Sequence, residues 1–384
     1  MSVSRHDVAI YSPFSAAYYD GTAPTQGGGA EIQMTFLAHE LARRGLRVAH
    51  IVFPTAGPAE AEHEGVTVHS RRPYHGGEPG VGLLKETAAV WQALGAVDAR
   101  AYVVRGSTLN VAVIAEFCRL HRRRMVFSSA NDFDLVRDPV SVSRVKHRIY
   151  LHGLRSADAV VVQSAQQLDM ARVLLRRRQH LEQIPSFAEP APAQVSDPDT
   201  FLWVSRISGH KQPLEFTRLA RVLPEARFVM VDGPSPDIDT ELLEKLRREA
   251  EGLSNFTMTG PLRREEVLAY LEHAVAIVST SEWEGMPNVF LEAWARSVPA
   301  LSLAFDPDGL IAERGLGIAA AGSWERFVEG ASALWSDAKL RETLGRNGRA
   351  YLEERHDPAK VCDRWQEVLE RIGALPGPQT SETV

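Results

Sequence analysis

Two glutamates, Glu284 and Glu292, lie on either side of a turn in the second half of the sequence. The turn contains Pro287 and Asn288, which end an apolar strand pattern and start a helix near Val289, with Asn288 as the expected N-cap. A helix that begins there presents backbone N–H groups and the positive end of its dipole, which together attract anions. The segment therefore predicts a phosphate-binding helix start.

The two carboxylates are expected to contact different groups, because Glu284 lies in the loop and Glu292 lies one turn inside the helix. A carboxylate at the position of Glu292 can accept hydrogen bonds from both hydroxyls of a ribose. Glu284, held by a loop that contains glycine, can accept from the hydroxyls of a sugar ring. The alternative, an exposed loop glutamate and a helix-capping one, stays open on these residues alone.

Arg206 and Lys211 occupy the loop that follows another predicted strand and precedes a helix starting near Pro213. Arginine offers a planar fork for phosphate oxygens and lysine a compact charge, and hydrogen bonds to charged groups contribute roughly 1.5–3 kcal/mol each. The pair predicts neutralisation of a diphosphate leaving group. The alternative is a pair of surface cations.

Two further strand-end loops carry candidate ligand contacts. Residues 26–31 read Gln-Gly-Gly-Gly-Ala-Glu, which lets backbone approach a ligand but lacks the G-x-G-x-x-G spacing of a dinucleotide site. A flexible turn is the alternative there. In residues 128–134, Asn131 and Asp132 are candidates for contacts to the donor sugar or the acceptor, and capping of the next turn is the alternative for Asp132.

Short apolar runs alternate with amphipathic stretches through both halves of the chain, a pattern that predicts parallel sheets covered by helices. The expected strands are Val8–Tyr11, Val48–Phe53, Tyr102–Arg105, Met125–Phe127 and Ala159–Val162, then Phe201–Val204, Arg227–Val231, Phe256–Met258, Val275–Val278 and Ala300–Leu303.

A proline-rich stretch from Pro185 to Asp199 separates the two series of strands and predicts a domain boundary. A chain of 384 residues suits two domains of about 150 to 190 residues each. We expect one domain at 1–186, a second at 200–357, a C-terminal helix at 358–372 and a flexible tail at 373–384.

Composition excludes several classes of protein. The formal net charge of -6 disfavours nucleic-acid binding, and Cys118 and Cys362 are too far apart for a zinc site, so we interpret both as small core residues. The absence of a long apolar stretch predicts a cytoplasmic protein. Basic runs at residues 119–124 and 172–178 are either solvated helix faces or a patch that contacts the inner membrane surface peripherally.

Taken together, the motifs resemble those of glycosyltransferase family 4, a retaining family of the GT-B fold, along nearly the whole chain. The matching residues are Gly28, Gly29 and Glu31 of the Gly-Gly-x-Glu helix start, the Arg206 and Lys211 pair, and the E-x7-E pair Glu284 and Glu292 with its continuation to Pro299. The resemblance implies an α/β fold of two Rossmann-like domains whose parallel sheets face each other across a cleft. It also implies that 1–186 is the acceptor-side domain, that 200–357 binds the nucleotide sugar, and that the helix at 358–372 crosses back to the first domain.

The resemblance also implies residue roles. Arg206 and Lys211 would bind the donor diphosphate and Glu292 the ribose. The donor sugar would be held by Glu284 and by the backbone around Gly285, Met286, Pro287 and Asn288. The sequence departs from the family at Ser205, Gln212 and Ser297, where the family often has glycine, and it lacks a histidine in residues 128–134.

The resulting hypothesis is a retaining, metal-independent transfer of a hexosyl or N-acetylhexosaminyl group from a UDP- or GDP-linked donor. The acceptor hydroxyl belongs to a saccharide, a lipid-linked saccharide or a small molecule, and no cofactor is expected. Three Asp-x-Asp triplets, beginning at Asp132, Asp197 and Asp306, are discounted as metal sites because Arg206 and Lys211 supply positive charge. The alternatives are a catalytically idle nucleotide-sugar-binding protein and a sugar-nucleotide epimerase of the same architecture.

Overall fold

The computed structural model describes residues 4–20, 28–53, 57–71, 81–136, 143–175, 180–189, 191–192, 197–233 and 239–376. These residues form two compact units. Within those ranges the first unit contains residues 4–20, 29–187 and 359–376, and the second contains residues 28 and 188–358.

The first unit is built on an eight-stranded sheet with the order β3-β4-β2-β1-β5-β6-β7-β8. Its strands are β1 (His6–Tyr11), β2 (Val48–Val52), β3 (Glu60–His63), β4 (Val66–Ser70), β5 (Ala99–Arg105), β6 (Arg124–Ser128), β7 (Ala159–Val162) and β8 (Leu181–Gln183). All neighbours pair in parallel except β3, which runs antiparallel to β4. Central strands such as β7 are buried along their whole length, which explains their continuous apolar sequence.

Helices cover both faces of this sheet. They are α1 (Ala17–Asp20), α2 (Gly29–Arg43), α3 (Val81–Val97), α4 (Asn110–His121), α5 (Arg144–Ser156) and α6 (Ala165–Leu175). One apolar core lies between the sheet and α3 to α6, and the other lies on the α2 side. The helices α4 and α5 cross closely at Gly153, where a Cβ atom would lie 2.6 Å from the backbone of Ala112.

The second unit is built on a six-stranded parallel sheet with the order β11-β10-β9-β12-β13-β14. Its strands are β9 (Thr200–Arg206), β10 (Arg227–Gly233), β11 (Phe256–Met258), β12 (Ala274–Ser279), β13 (Ala300–Ser302) and β14 (Gly317–Ala319). From β9 the chain adds β10 and β11 on one side and β12 to β14 on the other, so the strand order reverses at this strand. Ligand-binding crevices of such sheets form at this reversal, outside the carboxyl ends of the strands.

The helices of the second unit alternate with its strands. They are α7 (Pro213–Val222), α8 (Thr240–Ala250), α9 (Arg264–Leu271), α10 (Asn288–Ala295), α11 (Leu310–Arg314), α12 (Trp324–Ser336) and α13 (Ala338–Arg355). A last helix, α14 (Pro358–Arg371), places Val361, Cys362, Trp365, Val368 and Leu369 in a core of the first unit.

The predicted α/β class with two mainly parallel sheets is confirmed, and each of the ten expected strands is present. Three helices, α12, α13 and α14, follow the last strand β14. Cys118 and Cys362 are buried, as expected of small core residues. Among the described helices, none combines the length and the apolar character needed to cross a membrane.

Candidate functional site

The carboxyl end of β9 carries the first pair of candidate residues. Arg206 is the last residue of this strand, lies next to Gly233 of β10 in register, and is exposed. A short 3-10 turn, Gly209–Lys211, follows, and Gln212 then adopts a left-handed conformation (φ 45°) before α7 begins at Pro213. The turn directs Lys211 inward, so that only 10% of its side chain is exposed.

Lys211 and Glu284 contact each other directly. The ammonium of Lys211 donates to Oε1 of Glu284, and the hydroxyl of Ser281 donates to the same oxygen at 2.9 Å. Beneath this pair, Thr280 donates to the carbonyl of Lys211 at 2.6 Å and accepts from Nε1 of the buried Trp203 at 3.0 Å. A buried hydrogen-bond chain therefore fixes the two loops that carry Lys211 and Glu284.

The helix α10 begins one residue earlier than expected. Pro287 is the N-cap, without a side-chain capping bond, and Asn288 is the first helical residue, so the prediction of Asn288 as the N-cap was wrong. Pro287 fits the capping position because its carbonyl accepts from the N–H of Phe290 at 3.0 Å and its own missing N–H costs nothing there. The helix start still follows Glu284, Gly285 and Met286 directly.

Glu292 lies inside α10 and faces a different set of partners. Nε of Arg264, the first residue of α9, donates to Glu292 Oε1 at 2.9 Å, and Nη1 of Arg264 lies 3.2 Å from Oε2 of Glu189. Burial raises the pKa of Glu292, whereas Arg264 and Arg296 act in the opposite direction. The two carboxylates of the E-x7-E element therefore have different partners. Glu284 contacts Lys211, and Glu292 contacts Arg264.

An aromatic stack that sequence reasoning missed covers the Lys211 loop. The rings of His210 and Trp283 are parallel, with centroids 4.2 Å apart and an interplanar angle of 11°, although Trp283 is 41% exposed. Burial and the cations Lys211 and Arg206 lower the pKa of His210, and Glu284 opposes them. Lys211, Arg206 and Glu284 therefore all act electrostatically on the imidazole of His210.

The glycine-rich candidates lie at the start of α2. Gly28 precedes α2, Gly29 is the first residue of that helix, and the carbonyl of Glu31 accepts from the hydroxyl of Thr35 at 3.0 Å. An atom added at the Cβ position of Gly28 would meet nothing within 4 Å.

Asp132 and Asp134 have different surroundings. The oxygens of Asp132 accept from the amides of Gln166 and Gln167 in α6, at 3.2 Å and 3.0 Å. Asp134 is buried and accepts from the N–H groups of Ala130 (2.6 Å) and of Ser107 and Asn131. Burial raises the pKa of Asp134, and those N–H groups oppose the rise.

Arg105, the last residue of β5, is a charged residue that sequence reasoning did not single out. Burial lowers its pKa to about 10, while Asp134 and Glu31 oppose that change. The amide oxygen of Gln163 accepts from the Arg105 guanidinium and from the Ser186 hydroxyl, in the orientation that satisfies both amide atoms. Its position, at the end of a predicted strand, was the signal that could have revealed it.

The three Asp-x-Asp triplets hold structural hydrogen bonds. Besides Asp132 and Asp134, Asp199 accepts from the hydroxyl of Thr200 at 2.7 Å. Asp306 accepts from the N–H groups of Ile311 and Ala312 at 2.8 Å and 3.1 Å. These carboxylates therefore accept hydrogen bonds from other side-chain and backbone groups of the protein.

Known structures share this fold over nearly their full length. Sucrose-phosphate synthase from Thermosynechococcus elongatus superposes with a TM-score of 0.78 at 17% identity, covering 96% of this chain and 99% of that one. HepE from Anabaena, solved with UDP and glucose, gives 0.72 at 17% identity with 95% and 100% covered. A trehalose-phosphate synthase from Burkholderia xenovorans, solved with glucose-6-phosphate, gives 0.71 at 14% identity with 94% and 99% covered.

Family models match both halves of the chain. Residues 28–186 match the glycosyl transferase 4-like domain, and residues 187–351 match the glycosyl transferases group 1. The chain belongs to the GT-B glycosyltransferases. In this GT-B glycosyltransferase, the group 1 match contains Arg206, Lys211, Glu284 and Glu292, and the 4-like match contains Glu31 and Asp132.

Proposed function

We propose that this chain is a retaining glycosyltransferase of family 4 that moves a hexosyl or N-acetylhexosaminyl group from a UDP- or GDP-linked donor to an acceptor hydroxyl. The observation that carries the proposal is the contact of Lys211 with Glu284 directly before the α10 helix start, with Arg206 at the neighbouring strand end. A cationic pair and a helix start suit a diphosphate, and a carboxylate beside them suits sugar hydroxyls.

In the proposed reaction, the bond between the anomeric carbon and the diphosphate breaks, and the nucleoside diphosphate leaves with the bonding electrons. Arg206, Lys211 and the first turn of α10 stabilise the negative charge that develops on the leaving oxygen, which is the main catalytic contribution. The acceptor hydroxyl attacks from the same face, and its proton passes to the departing diphosphate. Glu284 accepts from the donor sugar and Glu292 from the ribose.

We propose that the reaction needs no metal ion, since Arg206 and Lys211 supply two positive charges where the diphosphate would lie. The engagement of Asp132, Asp199 and Asp306 with side-chain and backbone donors supports this proposal.

The acceptor is a saccharide, a lipid-linked saccharide or a small molecule, and we propose that the first unit holds it with Asn131 and Asp132. Gly28, Gly29 and Glu31 contribute to the same substrate site. The neighbours solved with UDP and glucose, or with glucose-6-phosphate, are consistent with a nucleotide-sugar donor and a saccharide acceptor.

Peripheral contact with the inner membrane surface, from the cytoplasmic side, is part of the proposal. The helix α5 exposes Val145 (67%) and Ile149 (42%) together with Arg144, Lys146 and Arg148. None of these three cations forms an ion pair within the described part of the chain. The run at 119–124 lies at the end of α4, but residues 176–178 of the run at 172–178 fall outside the described residues.

The proposed function is tested by incubating the chain with nucleotide sugars and candidate acceptors and determining the anomeric configuration of the product by NMR. Retention of the donor configuration, with a rate unaffected by EDTA, is expected. Inversion, loss of activity in EDTA, or conversion of the nucleotide sugar into its epimer would each contradict a part of the proposal.

A further inference from the structure

Arg264 connects the ribose candidate Glu292 to a second carboxylate. It begins α9, and its guanidinium bridges Glu292 of α10 and Glu189 of the segment before β9, at 2.9 Å and 3.2 Å. The Arg264 side chain is 24% exposed and that of Glu292 is 16% exposed. Three separate stretches of the second unit therefore meet at one guanidinium.

The charges around Glu292 are mixed. Arg264 and Arg296 favour its ionised form, whereas Glu189 and burial oppose it. Nη1 of Arg296 donates to the carbonyl of Glu292 at 3.3 Å, and the charge of Glu272 favours the ionised form of Arg296. Of the two cations, only Arg264 donates to the Glu292 carboxylate in the described structure.

We propose that Arg264 is a positioning residue that keeps the Glu292 carboxylate ionised and oriented, so that the donor site selects ribonucleoside diphosphates over their 2′-deoxy counterparts. This inference rests on the proposed function, because it assumes that Glu292 meets the nucleotide ribose.

The selectivity follows from the hydrogen-bonding capacity of a carboxylate. An ionised carboxyl group only accepts, and a ribose diol offers two donors to it, whereas a protonated carboxyl group presents a donor of its own. A site built to bind a hydroxyl rejects an analogue that lacks it, because a buried polar group is then left without its partner. Without Arg264, burial would favour the protonated form of Glu292 and weaken this discrimination.

The test compares the dissociation constants of UDP and GDP with those of 2′-deoxy-UDP and 2′-deoxy-GDP by calorimetry. The proteins are wild type, Arg264→Met, Arg264→Lys and the matched control Arg263→Met, each between about pH 6 and pH 9. Arg263 neighbours Arg264 but pairs with Glu266 at 3.2 Å on the exposed start of α9. The control therefore removes the same charge without touching Glu292.

Wild type and Arg263→Met are expected to prefer the ribonucleotide by roughly tenfold or more. Arg264→Met should lose most of that preference near neutral pH and recover part of it as the pH rises, because higher pH restores the ionised carboxylate. Arg264→Lys should keep a preference close to wild type. Glu292→Gln, which cannot ionise, should lose the preference at every pH.

Two outcomes overturn the proposal separately. If wild type discriminates between the sugars but Arg264→Met does so equally well at all pH values, Arg264 has no positioning role while the proposed function stands. If wild type binds neither UDP nor GDP, the proposed function fails and the role of Arg264 fails with it. Circular dichroism verifies that Arg264→Met is folded, and Arg264→Gln, which removes the same charge, provides the same comparison if Arg264→Met does not fold.

Discussion

The ammonium of Lys211 donates to the carboxylate of Glu284 across two loops that are 73 residues apart in sequence. Both side chains are largely buried, with exposed fractions of 10% and 19%. Removing one partner of such a pair leaves an uncompensated charge with reduced access to water. The two residues therefore form one unit, and in the proposed function a diphosphate bound to Lys211 would also change the environment of Glu284.

Lys211→Ala and Glu284→Ala are each expected to lower turnover by at least roughly tenfold with the fold intact, as judged by steady-state rates and circular dichroism. Because the residues contact each other, the double variant should lose less than the product of the two single effects.

Glu282→Ala is the matched control, because Glu282 lies in the same loop and its carboxylate accepts from Gln212 at 2.8 Å on the surface. It should retain a rate near that of wild type. If Lys211→Ala or Glu284→Ala turned over at the wild-type rate, the assignment of this pair to the catalytic site would be wrong.

Ser297 occupies a backbone conformation that disfavours its side chain. Its φ is +61°, in the left-handed region, and glycine is the residue that adopts this region without strain. Ser297→Gly is expected to raise the free energy of unfolding by about 0.5–1 kcal/mol, after the greater flexibility of glycine in the unfolded chain is counted. Chemical denaturation provides the measurement.

Ser332→Gly, inside α12, is the control and should lower the free energy of unfolding by about 0.5–1 kcal/mol. If Ser297→Gly destabilises the protein to the same extent, strain at Ser297 is not the dominant effect.

Most interior strands were predictable from their apolar runs, as was the edge strand β11 (Phe256–Met258), whereas the edge strands β3, β8 and β14 were not. The run Ala159–Val162 is buried on both faces and its limits were predicted to the residue. By contrast, β3 (Glu-Ala-Glu-His) is half exposed and carries no apolar run, while β8 and β14 have three residues each. Edge strands of this kind depend on pairing with a neighbour rather than on their own sequence.

The candidate site shows the same limit. The positions of Arg206, Lys211 and Glu284 at strand ends followed from sequence pattern, but their partners did not. The pairing of Arg264 with Glu292 and the stacking of His210 on Trp283 arise only when separate loops meet in the folded unit. Gln212 and Ser297, two departures from the family glycines, both adopt positive φ, which gives those positions a physical reason for glycine.

His50 makes the stability of the first unit sensitive to acid. It is fully buried and hydrogen-bonds Tyr19 at 2.6 Å, and burial, with a further contribution from His39, lowers its pKa from 6.5 to about 3. Below pH 6.5 the unfolded chain binds a proton that the folded chain does not. The stabilisation is therefore present above pH 6.5 and is lost as the pH falls towards 3, at up to ~1.4 kcal/mol per pH unit.

Urea denaturation followed by circular dichroism at a series of pH values checks this prediction. His50→Gln should flatten the profile below pH 6.5, and His121→Gln, at the exposed end of α4, should leave it as in wild type. Equal slopes in His50→Gln and wild type would show that other groups control the acid sensitivity.

The exposed face of α5 is expected to bind anionic lipid. Each basic residue near such a surface contributes about 1 kcal/mol, so Lys146→Gln with Arg148→Gln should weaken binding about thirtyfold. Val145→Ser with Ile149→Ser should also weaken it, because less apolar area is buried. Sedimentation with vesicles of phosphatidylcholine and phosphatidylglycerol, against phosphatidylcholine alone, is the measurement.

Lys339→Gln with Arg346→Gln, on α13 of the second unit, makes the same change in charge and should not affect sedimentation. The membrane proposal fails if wild type does not sediment with the anionic vesicles, or if the α13 pair matters as much as the α5 pair.

The central claim is that Arg206 and Lys211 drive departure of a nucleoside diphosphate from a nucleotide sugar. Its most direct test is the initial rate of nucleoside diphosphate release from UDP-, GDP-, ADP- and dTDP-sugars with candidate acceptors, for wild type and Arg206→Ala. Release from a UDP- or GDP-sugar by wild type, reduced at least roughly tenfold in Arg206→Ala, is the predicted result. Tight binding of donors without release by wild type, or equal release by Arg206→Ala, would contradict the claim.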